Sequence, residues 1–149
     1  MLISEILRIK GNTSLFTTTP DGAAIDSVKV MADNDIGSLV VMDHGRLAGM
    51  LTFREVLAAI AKGGGALGAL QVSEIYDKDP LTATPTLDVM ELRGRMLERH
   101  ARYVPVLDGT MLLGVISFHD VAKAMYEEQS FENRMLKSYI EDSPTAGAR

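Results

Sequence analysis

Apolar and polar residues follow one pattern twice along the chain. Each copy begins with a Thr-Pro pair, at residues 19–20 and 84–85, and continues with a stretch of helical periodicity. Two short apolar runs around a polar turn follow, and a second helical stretch completes the copy. The pattern predicts β-α-β-β-α in each copy, and therefore a mixed α/β (α+β) fold.

The two copies are an internal duplication with a constant spacing of 65 residues. The match holds without a gap from Thr19 to beyond Ala59. Neither copy has enough strands to cover its own apolar face, so we expect them to pack against each other with pseudo-twofold symmetry. Identical pairs include Thr19 and Thr84, Pro20 and Pro85, Met31 and Met96, Val41 and Val106, Gly49 and Gly114, and Phe53 and Phe118.

The first helix of each copy is predicted to bury one face, and the methionines Met31, Met90, Met96 and Met125 are predicted to lie in the core. In the second copy, residues 104–107 and 111–116 flank the turn pair Asp108-Gly109 and predict a hairpin. Pro105 cannot donate a ladder hydrogen bond, which predicts a short or edge strand there. The predicted core faces carry Ala24, Ile25, Val28, Met31 and Ala32 in the first copy and Leu87, Met90, Gly94 and Leu97 in the second.

Boundaries follow from the duplication. We expect one module over residues 1–149, with repeat 1 at 1–62, a linker at 63–71, repeat 2 at 72–127 and a C-terminal helical extension with a tail at 128–149. The linker contains G-x-G-x-x-G at residues 63–68, but this stretch follows a helical run instead of a strand, which argues against a phosphate loop. The extension carries apolar residues, for which a twin subunit is the simplest cover: Phe131, Leu136, Tyr139 and Ile140.

Composition excludes several classes of function. The 149 residues contain no cysteine, which fits a reducing, cytoplasmic location and excludes disulfides and thiolate chemistry. A net charge of −5 argues against nucleic-acid binding. No apolar run approaches the ~20 residues that span a bilayer, so no membrane segment is expected. His44, His100 and His119 lack metal-ligand spacing, and no metal site or catalytic cofactor is predicted.

Candidate chemistry lies where a strand ends and a helix begins, at residues 49–55 and 114–120. The hydroxyls of Thr52 and Ser117 can bind an oxyanion at a helix N-terminus, and a carboxylate three residues later can accept the hydroxyls of a ribose. The same spacing is also a capping box that needs no ligand. Glu55 is the better capping residue and the shorter Asp120 suits a ribose, so we expect the second motif to form the better site.

The sequence resembles the CBS domain family, whose tandem pairs form Bateman modules. The resemblance rests on Gly114-Val115-Ile116-Ser117-Phe118-His119-Asp120, on Arg102-Tyr103-Val104-Pro105-Val106, on Ser73-Glu74-Ile75 and on Gly37-Ser38-Leu39-Val40-Val41. It covers almost the whole chain and is closest to stand-alone pairs. It implies a non-enzymatic sensor that binds AMP, ADP, ATP or sometimes NAD or S-adenosylmethionine between the repeats, dimerises, and signals to an unidentified partner protein.

The resemblance implies that the motif of one repeat faces the segment that leads into the other. The better site would comprise Lys10, Gly11, Thr13, Ile36, Gly37, Ile116, Ser117, His119 and Asp120. The weaker site would comprise Met50, Thr52, Arg54, Glu55, Lys78, Ala101, Arg102 and Tyr103. The alternative is a structural or protein-interaction module whose motifs only cap helices and whose clefts stay empty.

Overall fold

The computed structural model describes residues 1–11 and 15–142, and it confirms the α+β class. The first half contains α1 (Ile3–Lys10), β1 (Thr17–Thr18), α2 (Ala24–Asp33), β2 (Ser38–Asp43), β3 (Arg46–Thr52) and α3 (Phe53–Lys62). The second half contains a short 3₁₀ helix (Val72–Glu74), α4 (Val89–Arg99), β4 (Tyr103–Asp108), β5 (Met111–Ser117) and α5 (Phe118–Asp142).

Each repeat is built around one antiparallel hairpin. The pairs β2–β3 and β4–β5 keep the 65-residue spacing in their register, since Val40 faces Met50 and Pro105 faces Val115. The predicted turn at Asp108-Gly109 is confirmed, and Gly109 has the positive φ of 60° that favours glycine in such turns. The internal duplication is therefore also a structural repeat.

The first strand of the repeat differs between the two halves. In repeat 1, β1 pairs in parallel with β2, and the Val40 amide donates to the Phe16 carbonyl at 3.1 Å. Pro105 occupies the position equivalent to Val40 and has no N–H, so this hydrogen bond cannot form. The predicted first strand of repeat 2 is accordingly reduced to a bridge between Ala83 and Val106.

The two hydrophobic cores exchange their leading segments. Helix α1, which the sequence analysis did not predict, buries Ile3 and Ile6 in the core of repeat 2. Reciprocally, Val72, at the start of the second half, is buried in the core of repeat 1. We call residues 1–10 and 70–76 the leading segments. Each core is thus completed by the segment that leads into the other repeat.

Matching backbone hydrogen bonds fix this exchange. The Ile3 amide donates to the Leu87 carbonyl at 3.0 Å, and the Val72 amide donates to the Gly22 carbonyl at 2.8 Å. The acceptors Leu87 and Gly22 are 65 residues apart and the donors Ile3 and Val72 are 69 apart, so the two bonds join corresponding segments although the spacing before Thr19 differs. Repetition of the bond in both halves confirms that the repeats pack with pseudo-twofold symmetry.

The predicted core face is wrong at several positions. Helix α2 buries Ala24 and Met31, but Ile25 and Ala32 are exposed. Helix α4 buries Val89, Leu92 and Met96. The predicted residues Met90, Gly94 and Leu97 are exposed. Each exposed residue of α4 follows a core-facing position by one or two residues, a rotation of about 100–200° around a helix, which turns it away from the core.

The segment between the repeats follows a helix, as predicted. Helix α3 ends at Lys62, directly before the glycine-rich stretch, so that stretch does not open a helix after a strand. Leu67 is buried in the core of repeat 1, and the Leu70 carbonyl accepts a hydrogen bond from Ala24. The linker therefore packs against the first repeat.

The last helix extends well beyond repeat 2, as predicted. Helix α5 buries Val121 and Ala124 and continues to Asp142, and the side chains between Ala124 and Glu141 are largely exposed. Within residues 1–11 and 15–142, no helix is both long enough and apolar enough to cross a bilayer. The exposed apolar residues of α5 beyond repeat 2 are Phe131, Met135, Leu136, Tyr139 and Ile140.

The exchange of the leading segments predicts that shortening a buried side chain of α1 destabilises the core of repeat 2. We expect Ile3→Ala to lower the free energy of unfolding by about 2–5 kcal/mol, because it leaves a cavity in the core of repeat 2. The matched control is Ile9→Ala on the same helix, whose side chain is 61% exposed, and its effect should stay within about 0.5 kcal/mol. Equal losses in urea unfolding of the two variants would contradict the exchange.

Candidate functional site

Two clefts of unequal size lie between the repeats. The large cleft has a volume of about 890 Å³ and receives Lys10 from α1, residues 35–38 from repeat 1 and residues 117–120 from repeat 2. The small cleft has a volume of about 240 Å³ and receives residues 52–55 from repeat 1 and residues 99–103 from repeat 2. Both clefts are therefore shared between the repeats.

The second motif presents a carboxylate to the large cleft. Asp120 lies in the first turn of α5, where its Oδ2 accepts the backbone N–H of Ser117 at 2.8 Å. The Asp120 amide in turn donates to the Ser117 hydroxyl at 3.0 Å. This is a complete capping box, like the one that Glu55 forms with Thr52 in the first motif. No described residue donates to the other oxygen, Oδ1.

Lys10 ties this carboxylate to the leading segment of repeat 1. Its Nζ donates to Asp120 Oδ2 and to the Val115 carbonyl, both at 2.8 Å. The Lys10 and Asp120 side chains are 27% and 17% exposed, so the pair is shielded from solvent more than an ordinary surface pair. The exchange of leading segments therefore places a cation of repeat 1 on the motif of repeat 2.

Asp120 is ionised in this setting. Burial raises the pKa of its carboxyl, but hydrogen bonds from Lys10 and Ser117 and the charge of Lys10 outweigh burial and lower the pKa below its ordinary value of 3.8. An ionised carboxylate only accepts hydrogen bonds. It is thus suited to a ligand that donates hydroxyl protons.

In the first motif, the hydrogen-bonding groups of Thr52 and Glu55 bind each other. Oε1 of Glu55 accepts both the backbone N–H of Thr52 at 2.8 Å and its hydroxyl at 2.9 Å. The Thr52 hydroxyl donates to the carboxylate of its own motif, whereas the Ser117 hydroxyl accepts the Asp120 amide at 3.0 Å and the Asp120 carboxylate also accepts a hydrogen bond from Lys10. The two motifs share a layout but offer different chemistry to their clefts.

Residues that line both clefts form the wall between them. Tyr103 lines both clefts and packs edge-on against Phe53, with ring centroids 6.2 Å apart. Arg102 lies over the same Phe53 ring at 5.2 Å. A Cβ at Gly37 would collide with the Tyr103 hydroxyl, so only glycine allows this approach. Besides Tyr103, the residues that line both clefts are Arg54, His100, Ala101 and Arg102.

Most of the site residues expected from the sequence line the expected cleft. For the large cleft these are Lys10, Ile36, Gly37, Ser117, His119 and Asp120. For the small cleft these are Met50, Thr52, Arg54, Glu55, Ala101, Arg102 and Tyr103.

Three expected residues lie elsewhere, and a fourth is not described. Ile116 is buried in the core of repeat 2, because side chains alternate along β5 and it is Val115 that lines the large cleft. Gly11 borders a separate small cavity. Lys78 lies over the Tyr76 ring at 5.7 Å and does not line the small cleft. Thr13 lies outside the described residues.

Several lining residues were not expected from the sequence. Asp35 and His100 both line the large cleft and have left-handed φ values of 50° and 52°. They are 65 residues apart, so the duplication itself could have marked them as equivalent positions at the end of each first helix. Leu97 also lines the large cleft, which explains its exposure on α4.

Comparison with known proteins identifies the family. The pattern that defines the CBS domain matches residues 3–62 and 72–127. The chain therefore belongs to the CBS domain family and is a tandem CBS pair. It is 30% identical over 147 residues to the mitochondrial CBS domain-containing protein CBSX3 of Arabidopsis thaliana. This match covers 93% of this chain and 71% of that relative.

Solved structures share the fold over most of the chain. A protein with CBS domains from Burkholderia ambifaria superposes with a TM-score of 0.80 at 29% identity, and the match covers 87% of this chain and 96% of that one. The CBS domain-containing protein ATU1752 from Agrobacterium tumefaciens gives a TM-score of 0.79 at 28% identity, with 84% and 99% covered.

Two structures of lower identity contain ligands. The CBS domain pair of MJ0100, in complex with 5′-methylthioadenosine and S-adenosyl-L-methionine, has a TM-score of 0.74 at 21% identity. CBSX2 in complex with AMP has a TM-score of 0.70 at 19% identity. The match covers 86% of this chain and 98% of the other chain in both cases. At these identities the likeness shows a common fold.

The lowered pKa of Asp120 predicts a pH-dependent stability. Folding favours the ionised form of Asp120. Its contribution to the free energy of unfolding is therefore present above pH 3.8 and is lost as the pH falls through the folded-state pKa. We expect Asp120→Asn to lower the free energy of unfolding at about pH 7 and to lower it less at about pH 3. Urea unfolding at both pH values measures this, and an equal loss at both would contradict the assignment.

Proposed function

We propose that this tandem CBS pair is a non-catalytic regulatory module that binds an adenine nucleotide, namely AMP, ADP, ATP or NAD, in the large cleft. The observation that carries the proposal is the ionised Asp120 carboxylate, which is held by Lys10 and Ser117 and faces a shared cleft of about 890 Å³. A carboxylate with an oxygen left to accept hydrogen bonds matches the two hydroxyls of a ribose.

The rest of the cleft supplies what the other parts of a nucleotide need. Apolar residues from both repeats, including Phe16, Ile36 and Val115, offer a surface for the adenine ring. The Ser117 hydroxyl and the start of α5 offer donors for an anionic group. The ligands seen with MJ0100 and CBSX2 contain adenosine, which supports this class of ligand.

The small cleft is the weaker site in this proposal. It has roughly a quarter of the volume of the large cleft, and its motif carboxylate, Glu55, accepts both hydrogen-bonding groups of Thr52. A ribose bound there competes with the cap of α3. We therefore propose that the large cleft fills first.

One observation favours a second candidate function. Both motifs form complete capping boxes within the protein, which is the arrangement expected of a structural or protein-interaction module with empty clefts. Thermal-shift measurements separate the two, since a ligand that binds only the folded state stabilises it. If saturating AMP, ATP and NAD all leave the melting temperature unchanged, the result supports this second candidate.

We also propose that the module acts as a homodimer in the cytoplasm and signals to a further protein. The extension of α5 exposes Phe131, Leu136 and Tyr139, each more than half accessible, and a second copy would cover them. A ligand that bridges the repeats would bias their relative orientation and so the dimer surface.

Nucleotide binding tests the main proposal with two matched variants. Asp120→Asn keeps an oxygen that can accept the Ser117 N–H but removes the charge, and it should weaken AMP binding by roughly tenfold to a hundredfold, the cost of a hydrogen bond to a charged group. Glu55→Gln makes the same change in the small cleft and should leave the tighter binding event unchanged. Calorimetric titration measures both. Unchanged AMP affinity in Asp120→Asn would refute the assigned role of the carboxylate.

The dimer is tested on the extension. We expect Leu136→Glu to convert the dimer to a monomer in size-exclusion chromatography with light scattering, because it places a charge in the exposed apolar stripe. The control is Lys137→Glu, which lies about 100° further around the helix. A wild-type protein that is monomeric at high micromolar concentration, or equal effects of both variants, would contradict this interface.

A further inference from the structure

Helix α4 has a second apolar face that the core of its own repeat does not use. Met90 and Leu97 lie on this face and are 55% and 53% exposed. Gly94 lies between them, and a Cβ added there would meet nothing within 4 Å in the described part of the chain. Glycine destabilises a helix relative to alanine, so nothing within the repeat favours it at this exposed position. We call Met90, Gly94 and Leu97 the α4 stripe, which extends over two helical turns, about 10 Å.

The last helix carries an unpartnered apolar face of similar length. We call residues 128–142 the arm. Its apolar side chains are each more than half exposed, lie within an arc of about 180° and extend over about 14 Å of the helix axis. Because α5 is one continuous helix from Phe118 to Asp142, the arm does not turn back onto α4 of its own repeat. The apolar residues of the arm are Phe131, Met135, Leu136, Tyr139 and Ile140.

An acidic residue lies in the middle of the apolar face of the arm. Glu132 is rotated by about 100° from Phe131 and by about 40° from Leu136 around the helix. Glu132 is exposed, and it has no salt-bridge partner among residues 1–11 and 15–142. Burying a charge within an apolar contact is costly unless an opposite charge pairs with it. A surface that covers the arm should therefore carry a cation among its apolar residues.

Helix α4 supplies such a cation beside the α4 stripe. Arg93 follows Met90 by three residues and precedes Leu97 by four, so these side chains lie on one side of the helix. Arg93 is exposed and pairs with no carboxylate of the described residues. Arg95, in contrast, pairs with Glu91 on the same helix at 2.7 Å. Arg93 is thus available to an acidic residue of another chain.

We propose that the arm of one copy packs on the α4 stripe of a second copy, with Glu132 paired to Arg93 of the partner subunit. This inference rests on the proposed homodimer and names the surface on which the arm docks. The two complementary faces occur in the same chain, which favours a second copy over an unrelated protein. Since each copy has one arm and one α4 stripe, a twofold axis buries both arms at once and closes the assembly.

The contact reaches the rim of the large cleft. Leu97 belongs to the α4 stripe and also lines that cleft. The arm of the second copy therefore lies beside the cleft in which we place the nucleotide. Occupation of the cleft and docking of the arm share one side chain.

Charge reversal tests the pairing of Glu132 with Arg93. We expect Glu132→Arg and Arg93→Glu each to weaken the dimer by roughly tenfold or more, because each brings two like charges together. The double variant restores opposite charges, and its dissociation constant should return to within about threefold of the wild-type value. Sedimentation equilibrium measures all four dissociation constants.

The matched controls reverse charges on the other sides of the same helices. Arg95→Glu lies about 200° from Arg93 around α4, and Glu127→Arg lies about 140° from Glu132 around α5. Both should leave the dissociation constant within about twofold of the wild-type value.

Disulfide trapping tests the position of the arm independently. The chain contains no cysteine, so introduced thiols can pair only with each other. A mixture of Met90→Cys and Leu136→Cys proteins, after exchange of subunits, should form a linked dimer under mild oxidation, since a disulfide requires Cα atoms closer than about 7 Å. The control mixture replaces Met90→Cys by Ile25→Cys, the equivalent position on α2, and should remain unlinked.

The outcomes separate this docking from the proposed homodimer. A dimer that the double charge reversal does not restore overturns the docking and leaves the homodimer intact. Linkage of Leu136→Cys to itself or to Ile25→Cys, in place of Met90→Cys, does the same. A wild-type protein that is monomeric at high micromolar concentration overturns both.

Discussion

Each hydrophobic core of the module is completed by the segment that leads into the other repeat, and this reciprocal exchange fixes the clefts. Ile3 and Ile6 belong to the core of repeat 2, and Val72 belongs to the core of repeat 1. Apolar surface that neither repeat could bury alone is removed from water by the exchange. Because α1 is docked on repeat 2, its last residue, Lys10, reaches Asp120. The packing of the cores therefore positions the chemistry of the site.

Pseudo-symmetry makes the small differences between the repeats informative. The junctions of strand and helix share one backbone arrangement, since the Phe53 amide donates to the Gly37 carbonyl and the Phe118 amide donates to the Arg102 carbonyl. The side chains at these junctions differ between the repeats. Asp120 is paired with a lysine from the exchanged segment, whereas Glu55 accepts its hydrogen bonds from Thr52 alone. The two repeats therefore contribute unequally to the clefts of one module.

Sequence periodicity predicted the repeated architecture, the second hairpin and the long last helix, because these depend on local patterns and on a duplication with a fixed spacing. It did not predict α1, although Ile3, Ile6 and Leu7 have helical spacing. Docking of that helix depends on tertiary packing against the distant repeat. The core face of α4 was misplaced because apolar residues such as Met90 and Leu97 flank the true seam.

The candidate site was predictable where a motif carries it and not where the packing does. Ser117 and Asp120 stand out in the sequence together with their capping-box spacing, whereas the pairing of Asp120 with Lys10 joins residues more than 100 positions apart. Arg54 lines both clefts because it belongs to the wall between them. No local pattern encodes that wall, since it is formed by both repeats.

A crystal structure of the protein with AMP tests the role of Asp120 most directly. We expect the nucleotide in the large cleft, with its ribose hydroxyls within hydrogen-bond distance of Asp120 and its adenine against the apolar residues between the repeats. AMP bound in the small cleft alone, or on the outer surface with Asp120 still bonded only to Lys10 and Ser117, would contradict it.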